Sequence, residues 1–138
     1  LEQDQRKIRV KSARGMAVYD IDFYKSERNK ESVNEFLRYV KEVETVIKKR
    51  GWNLETKYNR SYCGFKAGFF NAFSISWMGS KTIAFSFRLS VKEIKTFKLK
   101  PTKYDEDTQM AYFYIEPAVT KTSMFGPIFE HCYKRLGG

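Results

Sequence analysis

The sequence predicts an α+β fold, an antiparallel sheet with a central hairpin, covered on one face by two amphipathic helices. Three observations carry that prediction. Apolar residues recur at helical spacing between Ser32 and Arg50, two runs between Phe69 and Leu89 alternate with period 2 around Gly79 and Ser80, and Pro127 opens a second helical stripe that ends at Gly137.

Residues 1–15 hold Arg6, Lys7, Arg9, Lys11 and Arg14 against Glu2 and Asp4, with little apolar content, and read as a basic flexible arm. Residues 16–138 then read as one α+β domain. From Met16 to Tyr24 the pattern alternates, with Tyr19, Ile21 and Phe23 on one face, which predicts a strand. Ser32 and Glu35 have the spacing of a capping box, and behind them Val33, Phe36, Leu37, Val40, Val43, Val46 and Ile47 form the stripe of a helix that stops at Gly51.

A turn-rich passage from Trp52 to Gly68 leads into the hairpin, Phe69 to Met78 and Lys81 to Leu89. A two-residue loop would put Phe73, Ile75 and Trp77 on the face opposite Ile83, Phe85 and Phe87. An odd-length loop brings both triplets together, so the register favours a three-residue loop with a bulge. The other face is then Ala72, Ser74, Ser76, Thr82, Ala84, Ser86 and Arg88, expected to be an ordinary solvent-facing surface, with close approach of another group as the alternative.

Ser90 and Glu93 can cap one short helical turn, and Pro101 to Asp107 reads as a polar turn region. Gln109 to Glu116 is apolar on both faces and predicts a central or doubly covered strand. In the closing helix, Ile128, Phe129, Cys132, Tyr133 and Leu136 form a stripe expected to dock beside the first.

At 138 residues the chain can bury one ordinary core, and 17% aromatic content argues for a packed one. Lys and Arg number 26 against 16 Asp and Glu, a formal charge of +10 that attracts polyanions through long-range electrostatics and counterion release. Cys63 and Cys132 lack CxxC spacing and His131 is the sole histidine, so neither a zinc site nor any other metal or cofactor is expected. The two cysteines read as buried thiols of a reducing, cytoplasmic compartment. No apolar run approaches the roughly 20 residues that span a bilayer, and no membrane partner is expected.

Glu93-Ile94-Lys95 has the E-x-K spacing with which a metal-dependent nuclease holds a divalent ion and stabilises developing charge, with Asp20 or Asp22 as second carboxylate. The triplet arises easily by chance in a lysine-rich chain, and the Ser90 capping box already accounts for Glu93. Asp105, Glu106 and Asp107 lack the spaced ligands of a calcium loop and read as a solvated turn, while His131 and Cys132 are helix neighbours that point apart. No nucleophile elbow, P-loop or dinucleotide fingerprint is present, so no catalytic residue is assigned.

What remains is the stretch from Lys57 to Lys103, where aromatic residues and excess positive charge share one window. Lys57, Arg60, Lys66, Lys81 and Arg88 fall in loops or on the polar hairpin face and are the candidate phosphate contacts. The core claims most of the rings, which leaves Tyr58, Tyr62 and Phe65 as candidate stacking groups.

The run Trp77 to Leu89 and the carboxy-terminal Phe129-Glu130-His131-Cys132-Tyr133, set in the order helix, aromatic hairpin, turn, strand and closing helix, resemble the small α+β domains of the YjbR/MmcQ-like group over roughly Ser32 to Leu136. That resemblance implies a fold akin to double-wing DNA-binding domains and carries over no catalytic residue. The functional expectation is a non-enzymatic module that binds nucleic acid or an acidic protein through a basic surface. A protein-interaction or homodimerisation domain using the small-residue sheet face is the alternative, and a metal-dependent nuclease the distant one.

Overall fold

The computed structural model describes residues 19–137, so the expected basic arm at 1–15 lies outside the described residues. Among the described residues, four α-helices and six strands follow in the order α1 (Ile21–Glu27), α2 (Lys30–Arg50), β1 (Glu55–Tyr58), β2 (Tyr62–Ala67), β3 (Phe70–Trp77), β4 (Ile83–Arg88), α3 (Val91–Thr96), β5 (Lys103–Asp105), β6 (Met110–Tyr114) and α4 (Gly126–Arg135), with a 3₁₀ turn, Thr122–Phe125, leading into α4. The fold is α+β, as the sequence predicts. All six strands form one antiparallel sheet in the order β1-β2-β3-β4-β6-β5.

The hairpin register follows from side-chain period 2. Trp77 stands opposite Ile83 and Ile75 opposite Phe85, and Met78 N–H donates to the Thr82 carbonyl at 2.8 Å, which leaves Gly79, Ser80 and Lys81 as a three-residue loop. Gly79 takes a φ of 117°, a conformation that L side chains rarely adopt. Both apolar triplets therefore share one buried face, on which α2 and α4 pack. Phe36 meets Trp77 and Tyr39 meets Phe85, while Phe129 touches Phe73, Phe85 and Phe87. The irregularity in the ladder lies elsewhere, between Phe65 and Lys66 where β2 pairs with β3.

Four local expectations are corrected. The passage from Trp52 to Gly68, read as turn-rich, holds the paired strands β1 and β2, with turns confined to the residues around them. The segment read as a strand up to Tyr24 is helical from Ile21, and Met16 to Val18 lie outside the described residues. The Asp20 carboxylate accepts from the Phe23 N–H at 2.9 Å, and Asp22 adds negative charge at the positive end of the helix dipole. Tyr19 and Phe23, four apart, meet edge to face at 5.0 Å, and Tyr24 is wholly buried beside Phe36 and Trp77. Polar-apolar alternation over so short a stretch does not separate strand from capped helix.

The long helix starts at Lys30, two residues before the expected start, because Asn29 rather than Ser32 is the cap, accepting from the Ser32 N–H at 3.1 Å. Glu35 turns to Arg38 at 2.6 Å. Finally, the polar turn expected from Pro101 contains the edge strand β5; β6, paired with β4 and β5, is interior to the sheet, the first of the two expected alternatives, and is covered on one face only: Ala111, Phe113 and Ile115 are buried, whereas Met110, Tyr112 and Tyr114 are half-buried. No helix of the described residues is long and apolar enough to cross a membrane.

Candidate nucleic-acid interface

The sheet face turned away from α2 and α4 gathers most of the polar features that the sequence singles out. Reading the ladders across the strands gives the row Lys57, Gly64, Ser74, Ser86, Tyr112, Lys103, one residue from each strand. At about 4.8 Å per strand, this row spans about 24 Å from lysine to lysine. Beside it, Tyr62, Ser76, Ala84 and Tyr114 form a second row.

The middle of this face is buried, contrary to the expected solvent-facing surface. Ala72, Ser74, Ala84 and Ser86 are all at most 4% exposed. Their side chains are too short to rise above the longer ones that stand beside them on the same pleated surface, Tyr62, Tyr112, Tyr114 and Arg88. A recessed floor results.

The floor carries hydroxyls tied to one another. Ser74 Oγ donates to Ser86 Oγ at 3.1 Å, Ser76 Oγ and Ser86 Oγ are 2.5 Å apart, and Ser86 Oγ also lies 3.3 Å from the Ser74 carbonyl. Gly64 extends the floor because a Cβ there would stand 2.3 Å from Asn71 Oδ1, so the Asn71 side chain lies directly over the glycine.

Of the five candidate phosphate contacts, the structure brings three onto this face. Lys57 is on β1, half-buried Lys66 on β2 and exposed Arg88 on β4. Arg60 and Lys81 occupy the β1–β2 and β3–β4 turns at the far end of the sheet, where Arg60 lies 3.7 Å from the Glu27 carboxylate and the Lys81 carbonyl accepts from Ser32 Oγ. Lys103, which the sequence reading did not select, joins the face because a strand forms where a turn was expected. Glu55 and Asp105 are its carboxylates, and Asp105 is held by the N–H groups of Asp107 and Thr108.

The rings are distributed differently from the expectation. Phe65 is fully buried and Tyr58 packs on Tyr24 and Phe36. Tyr62 does reach the second face, together with Tyr112 and Tyr114. Phe69 and Phe70, at the β2–β3 turn, are 94% and 68% exposed. A strand pattern alone gives no sign that its first two rings overhang the core.

Glu93 is engaged structurally. Its carboxylate closes the capping box with the Ser90 N–H at 2.9 Å, pairs with His131 Nε2 and lies 3.1 Å from Arg135. Burial opposes its ionisation, but the hydrogen bonds from Ser90 and His131 and the Arg135 charge outweigh that and hold its pKa down at about 2. Asp20 is the cap of α1, and among the described residues no group of three or more His, Cys, Asp and Glu side chains is placed to hold a metal ion. Cys63 and Cys132 are buried thiols.

No family model, curated protein or solved structure matches this chain.

Proposed function

We propose that this protein binds nucleic acid, without catalysing a reaction on it, through the second face of the sheet. The observation that supports this reading is the grouping of Lys57, Lys66, Arg88 and Lys103 around a recessed floor of serines. The cations neutralise phosphates, and counterion release supplies the affinity. The short side chains of the floor leave room for a sugar-phosphate backbone, while Tyr62, Tyr112 and Tyr114 offer ring faces beside it. A relationship to the YjbR/MmcQ-like group belongs to the same proposal, supported by the order of helix, aromatic hairpin, strand and closing helix.

Titration of a labelled oligonucleotide at increasing salt tests it. Affinity should depend little on sequence and fall with a log-log slope of about 0.7 to 0.9 per phosphate neutralised. Lys66→Glu with Arg88→Glu should abolish binding and leave the unfolding midpoint almost intact. Absence of binding to any nucleic acid at low salt would overturn the reading in favour of an acidic protein or a second copy of the chain on the small-residue floor, which sedimentation would detect.

A further inference from the structure

Six of the nine tyrosines use a ring or a hydroxyl to hold the fold together. Tyr19 packs on Phe23 and Tyr58 on Phe36, Tyr133 stacks on Trp52, and the hydroxyls of Tyr24, Tyr39 and Tyr104 donate to backbone carbonyls. The other three, Tyr62, Tyr112 and Tyr114, are half-buried and have no ring contact and no hydroxyl hydrogen bond among the described residues. All three leave the sheet on its second face. Tyr62 and Tyr114 end one row across the strands with Ser76 and Ala84 between them, and Tyr112 stands in the next row beside Ser86 and Ser74. The two rows are two residues apart along each strand, so their side chains point to the same side.

Each flank of the recessed floor joins a ring to a cation on that same face. Lys103 is directly opposite Tyr112, with Cβ atoms about 5 Å apart, and Lys57, opposite Gly64, is diagonal to Tyr62 at about 7–8 Å. Neither lysine, nor Lys66 or Arg88 in the neighbouring positions, is in an ion pair among the described residues. The carboxylates of the face, Glu55 and Asp105, lie one row further from Tyr62 and Tyr114, opposite Lys66 and in line with Arg88. We infer that Tyr62, Tyr112 and Tyr114 stack on unpaired bases of a strand whose backbone crosses the floor between Lys57 and Lys103, which makes single-stranded nucleic acid the ligand class. The inference rests on the nucleic-acid reading above and narrows it. Tyr112 and Tyr114 are separated by two residues of β6, about 7 Å, or twice the roughly 3.4 Å between successive bases along one duplex strand. A strand that is opened out can give each ring a base, whereas in a duplex the base faces are closed by their neighbours and must be unstacked first. A second copy of the chain is the poorer fit, because two such faces would set four cations against four with only two carboxylates on each.

The test compares a labelled 12-nucleotide single strand with a blunt duplex of the same length, for the wild type, for Tyr112→Thr with Tyr114→Thr, and for Tyr→Phe at all three positions. Threonine removes the ring and keeps a strand-forming residue, and phenylalanine keeps the ring and removes the hydroxyl. The wild type should bind the single strand about tenfold or more tightly than the duplex, and the threonine pair should lose that preference while keeping duplex affinity. The phenylalanine variant should keep the preference. A single strand carrying 5-iodouracil, irradiated on the wild-type protein, should cross-link to at least one of the three tyrosines. Equal wild-type affinity for strand and duplex, unchanged single-strand affinity in the threonine pair, or cross-links confined to other residues overturns this inference and leaves nucleic-acid binding standing. Loss of the preference in the phenylalanine variant overturns stacking in favour of hydroxyl contacts. Self-association that the threonine pair abolishes, with no preference for the single strand, overturns it in favour of a second copy. No wild-type binding to either oligonucleotide at low salt overturns both readings. Should the threonine pair fail to fold, the wild-type ratio and the cross-link decide.

Discussion

Glu93 and His131, 38 residues apart in sequence, are joined side chain to side chain across the contact between α3 and α4. Glu93 thus completes the cap of a six-residue helix and fastens that helix to the last one, to which Arg135 adds a second bond. Loss of a cap costs about 1 kcal/mol, and a hydrogen bond to a charged group about 1.5–3 kcal/mol. Glu93→Ala should therefore lower stability by about 1–3 kcal/mol in urea unfolding. Nucleic-acid affinity should be unchanged. A fall in affinity without a fall in stability would contradict this assignment.

The same carboxylate makes stability depend on acid. Its pKa falls from an ordinary 4.5 to about 2 on folding, so its contribution is complete above the unfolded value and is lost as pH drops through about 2. The unfolding midpoint should decline between those limits. Glu93→Gln keeps the side-chain shape and removes the charge, and should flatten that part of the profile.

The paired triplets on β3 and β4, the long helix and the closing helix were legible because burial imposes a period on the sequence, and Trp77 opposite Ile83 is the outcome of that arithmetic. Tyr24 was not. Its place among Phe36, Tyr58 and Trp77 is set by contacts distant in sequence, and the Asp20 cap that starts its helix looks locally like an alternating strand. The floor of serines was visible as a list of small residues, but its recession depends on which long side chains the ladders set beside them. Lys103 and the exposed Phe69 and Phe70 were missed for a related reason, because a strand edge and an overhanging hairpin end are defined by where neighbouring strands stop.

Tyr24 gives a second stability prediction. Its hydroxyl donates to the Asn59 carbonyl at 2.6 Å, and burial pushes its pKa well above the ordinary phenol value. Tyr24→Phe keeps the ring stack and should cost about 1 kcal/mol in denaturant unfolding. Tyr24→Ala also removes the ring from the cluster and should cost about 3–5 kcal/mol. Similar losses for the two variants would mean that the ring is not packed as described.

Cys132 should be chemically silent in the native state. Burial, opposed only in part by the Arg135 charge, pushes its thiol up to about 11, so little thiolate forms at pH 8 and little of it is accessible. Cys63 is fully buried on β2 as well. A thiol-reactive dye at pH 8 should label neither cysteine quickly in native protein and both after unfolding. Rapid native labelling of Cys132 would show that α4 opens from the sheet far more readily than its packing on Phe73 and Phe85 allows.

The five candidate cations divide by position, and salt dependence can separate them. Lys57, Lys66 and Arg88 share a face with Lys103, whereas Arg60 and Lys81 stand in turns at one end of the sheet. If phosphates follow that face, single alanine substitutions at its four cations should each lower the log-log salt slope by about 0.7 to 0.9. Arg60→Ala and Lys81→Ala should leave the slope nearly unchanged, since long-range attraction alters the encounter rate more than the number of ions released. Arg60 is further occupied by Glu27, although an ion pair so exposed is worth at most about 1 kcal/mol and would not by itself prevent phosphate binding. Equal slope changes at all six positions would mean that the charge acts as a diffuse field, and a larger change at Arg60 and Lys81 would move the binding path to the turns beside Gly79.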